Sequence, residues 1–253
     1  MSIWGKLIGG ATGMALGGPI GAILGIAAGH GVDRVRKLDS SESNQKLSLE
    51  QKEQIFATSV IALSAKIAKA DGNISKSEIL AFKKIFEFPK EDEKAISEIF
   101  NSAKENIEDY KEIAKQVFDV FKNEKSLLLE LLNSLFSIAY ADGDLHYKEE
   151  IILLEISKIF SFSKSEFDSI SNIHSSKNSE EFYNINKSYK ILGVTKNSST
   201  EQISIKYKEL VKEYHPDRLQ GMGLPEEFIE LANQKLTAIN KAYNDIKNEK
   251  KNN

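Results

Sequence analysis

Pro216 cuts a helical pattern at one defined place, and that break constrains the fold more than any other residue does. Upstream of it, Ile203, Tyr207, Leu210 and Tyr214 recur at i, i+4, i+7 and i+11, the spacing of one apolar stripe on an α-helix. Ser199-Thr200-Glu201-Gln202 has the form of a capping box, so a helix is expected to begin there. Proline lacks the amide a helix needs and biases His215 before it towards an extended backbone. The first helix therefore ends at Tyr214. Arg218 to Leu224, with Gly221 and Gly223, reads as a loop, and Pro225 suits the first position of a second helix with Glu226 and Glu227 against its N-terminal dipole. Phe228, Ala232, Leu236, Ile239, Tyr243 and Ile246 continue at helical spacing. Two antiparallel helices packed stripe to stripe would display His215-Pro216-Asp217 at their tip.

That hairpin resembles the J domain, the module through which DnaJ-type co-chaperones engage DnaK-type chaperones. Tyr189-Lys190-Ile191-Leu192-Gly193-Val194 resembles the first-helix pattern of the family, and Gln234 to Tyr243 resembles its third helix. Gly221-Met222-Gly223-Leu224-Pro225-Glu226 resembles the long loop of the membrane-anchored, DjlA-like branch of the DnaJ family. The resemblance implies a regulator of a partner's ATPase and not an enzyme. It assigns the stimulating trigger to His215, Pro216 and Asp217, and the electrostatic contacts with the DnaK-type partner to Lys206, Lys208, Lys212 and Arg218. Helical geometry agrees for Lys208 and Lys212, one turn apart on the side away from Tyr207 and Leu210. Ile205, Glu209 and Glu213 depart from the family, which commonly carries lysine there, so the patch is less basic than usual.

The other end of the chain has a different character. From Ile3 to Ala28 the only charge is Lys6, a stretch longer than the roughly 20 residues an α-helix needs to cross a bilayer. Gly5, Gly9, Gly13, Gly17, Gly21, Gly25 and Gly29 recur at every fourth position, as overlapping GxxxG motifs. Such small-residue ridges let helix backbones approach closely, so a homodimer formed through the transmembrane helix is expected. The ridge drifts by about 40° per step, and partners following it should cross right-handed. Glycine adds little hydrophobicity and Pro19 interrupts the segment, which leaves a surface-lying helix and a cleaved signal peptide as rivals to a span. Arg34, Arg36 and Lys37 follow the segment against Lys6 before it, so the positive-inside rule predicts a single pass of the inner membrane with the C-terminal domains cytoplasmic. Trp4 to Gly9 and Gly29 to Asp33 also resemble the DjlA-like anchor.

Between the ends the pattern is helical. Phe56, Val60, Leu63, Ile67 and Ala70 trace one face, and Leu128, Leu131, Leu135, Ile138 and Ala139 trace another. Each run closes on a related string, Ala70-Asp71-Gly72-Asn73-Ile74 and Ala141-Asp142-Gly143-Asp144-Leu145, followed by Glu78 or Glu149 at the start of a new helix. This is an internal duplication. The paired Ala-Asp-Gly loops in an all-α context resemble the TerB-like domain of tellurite-resistance proteins, which precedes the J domain in DjlA-like chains. Asp71, Asn73 and Glu78, or Asp142, Asp144 and Glu149, offer oxygen ligands on a glycine turn, but neither set has the twelfth-position glutamate of an EF-hand. A helix stop at glycine, followed by a Ser75/Glu78 capping box, accounts for the same residues without a cation. No metal and no cofactor is assigned.

Composition closes other routes. The chain has no cysteine, which excludes disulfides and cysteine-ligated zinc modules, and its four histidines, His30, His146, His174 and His215, are scattered. A net charge of −3 supplies no basic field for nucleic acid. The expected architecture is all-α. Residues 1–38 form a glycine-zipper transmembrane anchor, 46–174 a TerB-like helical domain and 184–253 a J domain, with polar tethers at Asp39 to Gln45 and His174 to Glu180. The leading expectation is a membrane-anchored co-chaperone that recruits a DnaK-type chaperone and stimulates its ATP hydrolysis. The alternative is a membrane stress-signalling or metal-sensing adaptor whose active part is the TerB-like domain.

Overall fold

The computed structural model describes residues 20–21, 47–70, 83, 90, 93–103, 108–141, 143, 145–175 and 185–252. The described elements are helical: α1 Leu49–Lys69, α2 Glu93–Ala103, α3 Tyr110–Phe121, α4 Lys125–Ala139, α5 Tyr147–Ile159, α6 Lys164–His174, α7 Ile185–Leu192, α8 Thr200–Glu213, α9 Pro216–Met222 and α10 Ile229–Asn252. A 3₁₀ turn, Glu226–Phe228, leads into α10.

Local sequence sets many of the helix starts. Ser48, Ser163 and Ser199 each accept the N–H of the residue three positions on, while the Gln51, Glu166 or Gln202 side chain reaches back to the serine N–H. The capping box expected at Ser199 is therefore present, with Gln202 N–H donating to Ser199 Oγ at 3.1 Å and Ser199 N–H to Gln202 Oε1 at 2.9 Å.

In the first bundle α1 runs through the middle, touching α2, α3, α4 and α5. The periodicity had marked one apolar face of α1, but every residue from Gln54 to Ala68 is buried. The same correction applies to α4, buried from Ser126 to Ala139 and not only along its leucine stripe. Surrounding helices enclose both on all sides, and α4 is covered in part by α9 and α10 of the C-terminal unit. Among the polar residues trapped in this way Lys66, only 1% exposed, meets Asp109 at 2.5 Å, whereas the Thr58 and Ser64 hydroxyls are buried without a hydrogen-bond partner among the described residues.

In the C-terminal unit α7 and α8 both pack on α10. Ile203, Leu210 and Tyr214 are buried from α8, and Ala232, Ile239 and Ile246 from α10. Tyr207 and Tyr243 stack between them, ring centroids 4.0 Å apart and nearly parallel, and the Tyr207 hydroxyl donates to Asn240 Oδ1 at 2.9 Å. The hairpin expected from the two stripes is present.

Three expectations change on contact with the structure. The segment after Pro216 is not a loop but the helix α9, because proline at its first position needs no amide partner and its φ is already helical. Pro225 lies outside the next helix with extended ψ, capping the 3₁₀ turn. His174 belongs to the end of α6 and is buried, so it is no part of a tether. Glu149 opens α5 as expected: its carboxylate accepts the His146 N–H at 3.0 Å while His146 Nδ1 accepts from the Lys148 N–H.

Of the expected anchor, only Ile20 and Gly21 are among the described residues. Ile20 is fully buried and its N–H donates to Gln116 Oε1 at 3.0 Å. No helix of the described residues is long and apolar enough to cross a membrane. Gly5, Gly9, Gly13, Gly17, Gly25 and Gly29, the Asp39 to Gln45 tether, the loop residues Asp71 to Ile74, Ser75 and Glu78, and Asp142 and Asp144 lie outside the described residues.

Candidate functional site

The tip of the hairpin is built by residues that point inwards, which frees the ones between them to point out. Tyr214 ends α8, its N–H donating to Leu210 O at 2.9 Å and its ring buried. Leu219, one turn into α9, is fully buried and its N–H donates to His215 O at 3.1 Å. The backbone at His215 is extended, φ −66° and ψ 125°, as proline demands of its predecessor. Between these two anchors His215 is half exposed and Asp217 is 88% exposed. His215 Nδ1 lies 3.9 Å from Asp217 Oδ2, and the imidazole caps no helix amide. A rigid frame thus presents an imidazole and a carboxylate to solvent.

Gly223 closes α9 in the left-handed region, φ 108°, where Leu224 N–H returns to Leu219 O at 2.9 Å. A Cβ on Gly223 would come within 2.8 Å of the Lys52 Cβ on α1. Both the turn and the close approach of the two units require glycine here.

The basic residues of α8 are exposed to different degrees. Lys208, Lys212 and Arg218 are exposed, while Lys206 is half-buried and sits 3.6 Å from Glu209. The Arg218 guanidinium donates to Lys212 O at 3.2 Å, which ties α9 to the end of α8 beside His215 and Asp217. Ile205, 52% exposed, lies on the same side as Lys208 and Lys212. His215, Asp217, Lys208, Lys212 and Arg218 are exposed and Pro216 is half-buried between the first two, while Lys206 lies on a different side of α8 from Lys208 and Lys212 and is drawn into an intrahelical pair.

Behind the loop lies a polar cluster that periodicity did not reveal. Glu130 of α4 and Lys235 of α10 are 0% and 2% exposed and meet with Nζ to Oε2 at 3.9 Å. Lys235 Nζ also stands 3.7 Å from the centre of the Tyr214 ring. Burial pushes the Tyr214 phenol well above its usual range, reinforced by Glu213, Glu130 and Glu166. It remains neutral.

Comparison with known proteins gives the same order of parts. The model of the co-chaperone DjlA transmembrane domain matches residues 1–47, that of tellurite resistance protein TerB residues 57–172, and that of the DnaJ domain residues 187–253. These define the class: a J-domain protein with a helical TerB domain and an N-terminal transmembrane domain. The chain is 28% identical to the co-chaperone protein DjlA of Photobacterium profundum, over 98% of this chain and 99% of the relative. It is 27% identical to that of Coxiella burnetii, over 96% of each, and 28% identical to that of Vibrio cholerae, over 99% of each. The chain is a DjlA-like, membrane-anchored member of the DnaJ family of co-chaperones. No solved structure matches it.

Proposed function

We propose that this co-chaperone recruits a DnaK-type ATPase to the membrane surface and stimulates its ATP hydrolysis, with His215, Pro216 and Asp217 as the trigger. The observation that carries the reading is the exposure of His215 and Asp217 on a loop held from behind by buried Tyr214 and Leu219. Lys208, Lys212 and Arg218 form the charged rim that steers the partner, and Lys206 adds a weaker contribution from its pair with Glu209. Exposed Ile205 adds an apolar contact in that rim.

The unit boundaries we assign are 1–38 for the anchor, 46–174 for the TerB-like domain and 184–253 for the J domain. The glycine ridge from Gly5 to Gly29 pairs two chains in the membrane, and the basic residues after it hold the C-terminal units on the cytoplasmic side of the inner membrane. Two tethered J domains would then raise the local concentration of triggers around one client patch.

The test is ATP hydrolysis by a DnaK-type chaperone in the presence of the full chain reconstituted in lipid. Acceleration by the wild type and none by His215→Gln is the expected pattern. No acceleration by the wild type would leave tethering, without stimulation, as the function of the hairpin.

A further inference from the structure

The two folded units share a buried charge pair whose halves belong to different units. Glu130 lies on α4 of the first bundle and Lys235 on α10 of the hairpin, both removed from water. The Glu130 side is rigid. Asn133 Nδ2 donates to Glu130 Oε1 at 2.7 Å, and with its amide so oriented Asn133 Oδ1 accepts from His174 Nε2 at 2.8 Å. The His174 ring in turn lies nearly parallel to Phe136 and Tyr140, centroids 6.1 and 6.3 Å away. The Lys235 side leads to the trigger, since its ammonium stands over the ring of Tyr214, the residue before His215. Glu213 and Glu166 also act on this neighbourhood.

Neither Lys235 Nζ nor Glu130 Oε2 has a hydrogen-bond partner, so each relies on the other's charge. Burial presses both towards neutrality, raising Glu130 and lowering Lys235 to about 8, and each charge opposes the other's loss. A pair of this kind adds little stability over apolar packing, but it punishes every arrangement in which one member is buried alone. Sliding one unit past the other by a helical turn, about 5.4 Å, would strand both. The neighbouring contacts, Phe228 edge-on to Phe56 and Gly223 close against Lys52, fit the same pose by shape, and the charge pair adds an electrostatic penalty for leaving it.

We propose that Glu130 and Lys235 are positioning residues of the trigger loop, a clamp that admits one docking pose of the hairpin on the TerB domain and so aims His215 and Asp217 away from it. The inference rests on the proposed stimulation of a DnaK-type ATPase for its consequence, but not for its geometry. The partner then meets a loop of fixed direction relative to the first bundle, and the bundle, more than the tether, sets the encounter.

The test uses the full chain in lipid nanodiscs. The protein has no cysteine, so cysteines placed at exposed Lys115 and Lys241 carry spin labels without further change. Distances between them are compared for the parent, Lys235→Met, Glu130→Gln and the double variant. Methionine keeps the volume and a favourable contact with the Tyr214 ring. The parent should give one narrow distribution. Each single variant leaves one uncompensated buried group and should broaden it, lowering the docked-to-undocked ratio on the order of a hundredfold. The double variant should be narrow again. The partner concentration for half-maximal ATPase stimulation should rise in the singles and recover in the double, with the plateau rate unchanged. Single variants as narrow as the parent would overturn the clamp, and so would a double variant as broad as the singles. A parent that fails to stimulate hydrolysis would count against the proposed function, while the distances still decide the clamp.

Discussion

Replacing His215 by glutamine should separate activity from stability, and the structure sets the size of the separation. The imidazole is half exposed, caps no helix amide, and has one polar neighbour, Asp217 Oδ2 at 3.9 Å, itself almost fully exposed. Exposed charge pairs contribute about 0–1 kcal/mol, and surface substitutions away from caps and cores stay within about 0.5 kcal/mol. The structural contribution of His215 is made by its backbone, whose carbonyl accepts the Leu219 N–H, and glutamine before proline keeps that conformation. For 150–250 residues, about 1 kcal/mol moves Tm by about 2–4 °C, so His215→Gln should move it by no more than about 2 °C. Leu219→Ala provides the contrast. Leu219 is fully buried, and truncating a buried leucine costs about 2–5 kcal/mol. Scanning calorimetry gives the stability of both variants, and single-turnover ATP hydrolysis by the DnaK-type partner gives the activity. The expected result is near-native melting with lost stimulation for His215→Gln. Full stimulation by that variant would remove His215 from the trigger, and a fall in Tm of more than about 5 °C would show that the ring holds the fold after all.

Three other outcomes follow from the same geometry. Lys208→Glu combined with Lys212→Glu should slow association with the partner more than it speeds dissociation, and added salt should weaken the wild type in the same direction; surface plasmon resonance showing neither effect would make these lysines ordinary surface. Phe228→Ala should cost about 3–5 kcal/mol and increase hydrogen exchange along α1, because Phe228 is fully buried and packs edge-on to Phe56 at 5.0 Å; unchanged protection from Leu49 to Lys69 would show that this contact does not hold the units together. Gly13→Leu with Gly17→Leu should leave the chain in the membrane fraction while reducing crosslinked dimers, since leucine favours insertion but holds helix backbones apart; undiminished dimers would place the interface elsewhere.

The sequence by itself determined whatever is settled within a turn or two of chain. The Ser199/Gln202 cap, the stop at Pro216, the stripe of Ile203, Leu210 and Tyr214, and the outward His215 and Asp217 are all decided by neighbours three or four residues away, so their pattern is written in order along the chain. Even the misread segment after Pro216 failed locally: its two glycines suggested a loop, and the proline that ended α8 also started α9.

Tertiary structure alone decided what is enclosed. Nothing in the stripes of α1 and α4 indicated that their polar sides would be covered too, because burial on the second face comes from helices distant in sequence, including two from the other unit. Glu130 interrupts a leucine-rich run and Lys235 lies beside an apolar stripe, so each by itself has the pattern of a solvated residue on a helix face. Their pairing has no periodic signature. A charge carries no mark of its partner in the chain, and only the docking of one unit on the other, which removes water from both, makes the two depend on each other.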